Sequence, residues 1–121
     1  MNSRILAFLS SLCLGFGVWA LSRTFTGQSE PWDATFPFYV ITFLIGGSII
    51  SLITGHHHIL CWFGVWIGQV AALLILPGLD RSWILLGAIT TAAGSMIAVL
   101  ASVFIEIIFV RVRRYSNVSR D

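Results

Sequence analysis

The chain has 121 residues, of which 57% are apolar and only 10% are charged, and its formal net charge is +2. Soluble domains contain about 25% charged residues, so this composition excludes a soluble enzyme, a nucleic-acid-binding protein with a basic face and a disordered chain. A mean hydropathy of +0.92, together with long apolar runs, predicts an integral membrane protein.

Four apolar runs are long enough to cross a bilayer, whose hydrocarbon core of about 30 Å needs roughly 20 helical residues. They cover residues 5–21, 36–53, 59–76 and 83–110. The sequence therefore predicts an all-α, polytopic membrane protein, in which four transmembrane helices form one compact bundle and a short basic tail, residues 111–121, follows. The fourth run is the longest, so its helix must tilt or protrude from the bilayer.

Arginines mark the ends of these spans. Arg4 precedes the first span, whereas Arg23 and Arg81 lie at the opposite ends of the spans. Four more follow the last span, namely Arg111, Arg113, Arg114 and Arg120. Because positive charge accumulates on the cytoplasmic side, this distribution predicts that both termini are cytoplasmic. The membrane we expect is the plasma (inner) membrane of a bacterium.

The first span resembles a secretory signal peptide in its charge and apolar run. The bulky Trp19 beside the position of cleavage argues against removal, so we expect the span to be retained. Its Phe-Gly-Val-Trp sequence at 16–19 recurs at 63–66. This echo favours two tandem helical hairpins of parallel orientation, and the alternative is a chance match in an apolar chain.

Small and polar residues recur at helical spacing in spans two, three and four. Small residues let helix backbones approach closely in a membrane. We therefore predict helix-packing or interface roles for Gly47, Ser51, Gly64, Gly68, Gly87, Thr91, Ser95, Ser102 and Glu106. The opposite face of the fourth span, which includes Met96 and Leu100, is expected to meet lipid.

Gln69 lies near the middle of the third span, on the side of Trp62 and Trp66. An amide in hydrocarbon must find hydrogen-bond partners. The simplest expectation is a bond to a Thr, a Ser or a backbone carbonyl of another helix. One alternative is a groove, lined by Trp62, Trp66 and Gln69, for a lipid tail, quinone, pigment or pore water. Another is contact with a different protein through this face.

Glu106 is the only ionisable residue within a predicted span. It lies about 14 Å from the middle of the span, near the edge of the hydrocarbon. We expect a salt bridge or an interface contact, with Arg113 or an arginine of another span as the partner. The alternative is a role in proton or cation transport.

The other reactive residues form no recognised catalytic or metal-binding pattern. His56, His57 and His58 are adjacent, so their side chains diverge, which favours a polar turn at the lipid headgroups over a metal site. Cys13 and Cys61 are expected to be reduced packing residues. The sequence thus predicts neither enzymatic activity nor a cofactor.

These observations predict a non-catalytic membrane protein that acts through helix–helix contacts, as an accessory, scaffold or assembly subunit of a complex or as a homo-oligomer. Its partners would be membrane lipids and other membrane subunits or copies of itself, and not nucleic acid. The alternative is an oligomeric channel or small-solute transporter, with a path lined by Gln69 and the face that carries Thr91, Ser95, Ser102 and Glu106. A water-filled axis through these residues would favour the alternative.

Overall fold

The computed structural model describes residues 2–34, 37–55, 57–79, 82 and 84–118, and within these ranges it contains four α-helices and no strand. The helices are α1 (Ser3–Thr26), α2 (Phe38–Thr54), α3 (His58–Ile75) and α4 (Ile84–Val118). The prediction of an all-α chain with four helices is confirmed. His56, Arg81 and Arg120 lie outside the described residues, as do the side chains of residues 114–118.

The first helix extends beyond the predicted span at both ends. Asn2 caps its start by accepting a hydrogen bond from the backbone N–H of Arg4. At the other end, the Thr26 hydroxyl donates to the Ser22 carbonyl, and the helix ends at Gly27, whose φ of 76° is left-handed. The predicted span ends at the first polar residues, because hydropathy falls there. The helix itself continues until a glycine turns the backbone.

Helices that are not consecutive in the chain form parallel pairs. The α1 backbone around Leu12 faces Gly68 of α3, and Gly47 of α2 faces Ala98 of α4. The pairs α1–α2 and α3–α4, whose members follow each other in the chain, are antiparallel. Because α1 packs against α2 and α3, and α4 packs against the same two helices, the order around the bundle is α1, α2, α4, α3. We call the end where α1 begins and α4 ends the terminal end, and the opposite end the loop end.

Glycine makes the closest approaches between helices possible. A Cβ atom built on Gly68 would fall within contact distance of backbone atoms of Leu12, and one on Gly64 would meet the Phe8 carbonyl. Gly17, which corresponds to Gly64 in the sequence echo, faces open space. The two hairpins are parallel in orientation, but corresponding positions of the sequence echo differ in their surroundings.

The bundle has the surface of a membrane protein. Three helices are long and apolar enough to cross a membrane, and α2, with 17 residues, is shorter and also apolar. Large apolar side chains such as Ile89, Leu100 and Phe104 are exposed on α4. This helix continues from Glu106, which contacts the first residue of α3, to Val118. That extension is about 18 Å at 1.5 Å per residue, so the long helix protrudes at the terminal end.

Candidate functional site

The side chain of Gln69 is completely buried at the centre of the bundle. Its Oε1 atom accepts two hydrogen bonds, one from the Tyr39 hydroxyl at 2.6 Å and one from the Trp19 indole N–H at 3.3 Å. Its Nε2 atom donates to the Ser95 hydroxyl at 2.9 Å and to the Thr91 carbonyl at 3.2 Å. We refer to these five residues as the Gln69 cluster, which connects all four helices.

Donors and acceptors in the Gln69 cluster are complementary. The Ser95 hydroxyl donates to the Thr91 carbonyl at 2.7 Å, so its oxygen is available to accept from Gln69. Both polar atoms of the Gln69 amide therefore have partners, as a buried amide requires. The cluster fixes the relative positions of the helices, because each of them contributes a partner.

The three residues that the sequence assigns to a groove differ in their exposure. The bonds from Gln69 to Ser95 and to a backbone carbonyl are of the kind that the sequence predicted. Gln69 has no exposed surface, so in this structure it does not share an open surface with the partly exposed Trp62 and Trp66. The partners Trp19 and Tyr39 were not predicted, since they belong to other helices and periodicity within α3 carries no information about them.

The two tryptophans instead form an aromatic surface on α3, next to α4. Their rings are stacked with centroids 5.6 Å apart, and Phe63 contacts Trp66 edge-on at 5.7 Å. The indole of Trp62 donates to the Ala92 carbonyl at 3.0 Å, and that of Trp66 donates to a carbonyl of α4 at 2.8 Å. We call Trp62, Phe63 and Trp66 the aromatic plate; its polar atoms are directed inward and its rings are partly exposed.

A second polar cluster lies at the terminal end of the bundle. The His58 ring contacts the Ser102 hydroxyl through Nδ1 and the Glu106 carboxylate through Nε2, both at 2.7 Å. The Ser51 hydroxyl donates to the Ser102 carbonyl at 3.1 Å. The His58 and Glu106 side chains are each 26% exposed. These four residues, the His58 cluster, connect the end of α2 and the start of α3 to the middle part of α4.

His58 was assigned to a polar turn, and the structure places it in the first turn of α3. The imidazole is thus a hydrogen-bond partner of Glu106 that the sequence does not predict. Arg113 has the opposite charge to Glu106 and lies on the same helical face, so the sequence points to it, whereas a histidine on a neighbouring helix gives no periodic signal. Among the described residues, no three His, Cys, Asp or Glu side chains are placed to hold a metal ion.

A serine, a histidine and a carboxylate in contact are also the components of nucleophilic hydrolases. Ser102 is only 2% exposed, so a substrate carbonyl cannot approach its hydroxyl. It also lies inside α4, where the backbone N–H groups that could form an oxyanion hole are engaged in the helix. The geometry of the His58 cluster therefore suits a contact between helices better than acyl transfer.

The predicted packing residues lie mainly at contacts within the bundle. Thr91 and Ser95 have no exposed surface, and Gly87 faces Leu73 of α3. Cys61 is buried, whereas Cys13 is exposed, and both are free thiols.

Comparison of the chain with protein-family models, with curated proteins and with solved structures found no match.

Proposed function

We propose that this protein is a non-catalytic membrane subunit that acts through helix–helix contacts, as a scaffold or assembly partner of other membrane proteins or of its own copies. The observation that carries the proposal is the Gln69 cluster. The residues that could line a path for water or ions, Gln69, Thr91 and Ser95, are fully buried and bonded to one another across the helices. Such a core supports a role as a rigid unit that contacts other membrane proteins through its outer surface.

The channel alternative has less support from the same contacts. A conducting path needs polar groups that can replace the hydration of the solute. The polar side chains of the Gln69 cluster face protein, so a path through them would require the cluster to open, and the other possible path runs between copies of the chain. The outward positions of α4 that such a path would need, such as Ile89, Met96 and Leu100, are apolar.

We further propose that the aromatic plate is the surface of contact with a partner. Tryptophan anchors a protein at the headgroup level, but Trp66 lies two turns from the start of α3 and so within the hydrocarbon. Aromatic side chains are enriched at the centres of protein interfaces. Because hydrogen bonds to α4 hold both indoles in place, the plate loses little side-chain entropy when a partner binds.

The proposal also includes the orientation of the chain and the identity of the membrane that holds it. The distribution of arginines supports cytoplasmic termini in a bacterial inner membrane. In that orientation the protruding end of α4, with Arg111 and Arg113 exposed, would extend into the cytoplasm. Cysteine labelling of Ser29 and Ser119 from each side of the membrane tests it, and labelling of Ser119 from outside would contradict it.

The contact is tested by photo-crosslinking in native membranes. A benzophenone amino acid is placed at Phe63, which is 43% exposed, and, as a matched control, at Ile49 of α2, which is 50% exposed. We expect a discrete protein adduct from position 63 and much less from position 49. Sizing of the purified protein in mild detergent then distinguishes an adduct with a second copy from one with another subunit.

Two results would contradict the proposal. One is a protein that is monomeric in detergent and forms no protein adduct from either position. The other is ion or solute flux in liposomes that hold the purified protein, provided that Gln69→Leu abolishes it. The second result would favour the channel.

A further inference from the structure

A cavity lies at the loop end of the bundle. It has a volume of about 550 Å³ and lies between the α1–α2 loop and the facing ends of α3 and α4. Glu30 and Trp32 line it from the loop, Leu73 from α3, and Gly87 and Thr90 from α4. Small-molecule sites have volumes of about 300–1,000 Å³, so this cavity is large enough for a ligand.

The loop that forms one wall of the cavity is held in a tight turn. The Asp33 N–H donates to the Glu30 carbonyl at 3.2 Å, which closes a four-residue turn around Pro31. Proline at the second position fixes φ and favours such turns, and Pro31 is itself buried. The positions of Glu30 and Trp32 relative to the bundle are therefore set before any ligand arrives.

Within this turn a carboxylate and an indole lie side by side. The Trp32 N–H donates to Oε2 of Glu30 at 2.8 Å, which orients the carboxylate and leaves its other oxygen available to a ligand. The Trp32 ring contacts Trp19 edge-on at 4.7 Å and Tyr39 at 6.1 Å. This packing fixes the ring, although 39% of the residue is still exposed.

Apart from Thr90, the described residues of the remaining walls are apolar, and these walls lead to the membrane. Leu73 forms the wall on α3, and Gly87 leaves space because it has no side chain. Leu86, which also lines the cavity, is 52% exposed on the apolar surface of α4. A ligand can therefore place a polar head at the turn and an apolar chain along α4.

We propose that this cavity binds the ammonium head of an amphiphile. A fixed carboxylate supplies charge-assisted hydrogen bonds to an ammonium group, and the face of an adjacent indole attracts a cation. The ammonium belongs either to an ethanolamine phospholipid of the leaflet at the loop end or to a free long-chain alkylamine. This site is at the opposite end of the bundle from the His58 cluster and does not depend on the proposed contact through the aromatic plate.

Binding is measured with the full chain in maltoside micelles, which carry no charge. In one arm, native mass spectrometry compares phosphatidylethanolamine with phosphatidylglycerol of the same acyl chains. In the other arm, calorimetry measures decylammonium binding. The test variant is Glu30→Gln, whose amide oxygen still accepts from Trp32. The matched control is Asp33→Asn, which removes the exposed carboxylate three residues away, outside the cavity.

We expect Glu30→Gln to weaken binding of the ammonium probe by roughly tenfold or more, as for loss of a charge-assisted hydrogen bond. Asp33→Asn should change it less than about twofold. A preference for phosphatidylethanolamine identifies the lipid as the source, and binding of decylammonium alone identifies a free amine. Equal binding by Glu30→Gln and the unmodified chain, equal losses in both variants, or no binding in either arm would overturn the proposal.

Discussion

Replacement of Gln69 by Leu removes the amide at the centre of the bundle while keeping a side chain of similar size. The Tyr39 hydroxyl and the Trp19 indole both donate to Oε1 of this amide, and the Leu side chain would leave both donors without a partner. The two acceptors on α4 lose less, because the Ser95 hydroxyl still donates to the Thr91 carbonyl. The stranded donors on α1 and α2 therefore determine the loss of stability.

The size of the effect follows from the number of stranded donors. Interhelical hydrogen bonds in membranes contribute about 0.6 kcal/mol on average and up to about 1.7 kcal/mol, and a buried donor without a partner costs about 1–3 kcal/mol. For two donors in a site without exposed surface, we expect Gln69→Leu to lower the free energy of unfolding by about 2–4 kcal/mol. Tyr39→Phe removes one donor and leaves the other bond in place, so it should cost about 1 kcal/mol.

The free energy of unfolding is measured by titrating SDS into mixed micelles that hold the purified protein. A double-mutant cycle separates the direct bond from general damage. Tyr39→Phe should destabilise the unmodified protein but partly rescue Gln69→Leu, because it deletes a stranded hydroxyl. Ser48→Ala serves as the control, since the Ser48 hydroxyl bonds only to the carbonyl of Leu44 in its own helix. It should change the free energy by less than about 0.5 kcal/mol.

Additive effects of the two substitutions would refute this reasoning, because they would mean that Tyr39 and Gln69 do not share an interaction. A Gln69→Leu protein as stable as the unmodified chain would also refute it. In that case the amide would serve another purpose, and the channel alternative would gain support.

Two further predictions concern other contacts between the helices. Gly68→Val should destabilise the protein by about 1–3 kcal/mol or more, because its side chain would collide with the α1 backbone. Gly17→Val, which faces open space, should cost much less in the same SDS titration, and equal losses would contradict the close packing of α1 and α3. Glu106→Leu should cost about 1–2 kcal/mol, since it removes a charge-assisted bond to His58 in a partly exposed site. Glu106→Gln should lose less, because the amide oxygen can still accept from the imidazole, and the reverse order would contradict the bond between His58 and Glu106.

The fold could be predicted because it depends on patterns that are local in the chain. Apolar runs of sufficient length specify helices in a membrane, whatever their partners. The burial of Thr91 and the exposure of Met96 follow from a single helical face in the same way. The ends of the helices were less predictable, because hydropathy changes at Ser22 while the backbone turns only at Gly27.

The partners within the clusters could not be predicted, because they depend on which helices are neighbours. Gln69 was identified as a buried amide, but Tyr39 lies near the start of another helix and showed no sign of a special role. His58 belongs to a run of three histidines that is typical of a polar turn, and only its distance from Glu106 identifies it as a partner of that carboxylate. In both clusters the bonds between helices join residues at least 22 positions apart, and a single sequence carries no record of such pairs.

The parallel pairing of α1 with α3 also constrains the order in which contacts between the helices can form. A membrane protein is synthesised from its N-terminus, so α1 and α2 enter the bilayer as a hairpin before α3 exists. During that interval Gly15 and the Leu12 backbone, which face α3 in the folded bundle, cannot yet make these contacts. The bond from Trp19 to Gln69 is also delayed until the second hairpin has been inserted. Each hairpin thus completes its contacts only when it packs against the other. The short connection between α2 and α3 keeps the two hairpins close to each other until this packing occurs.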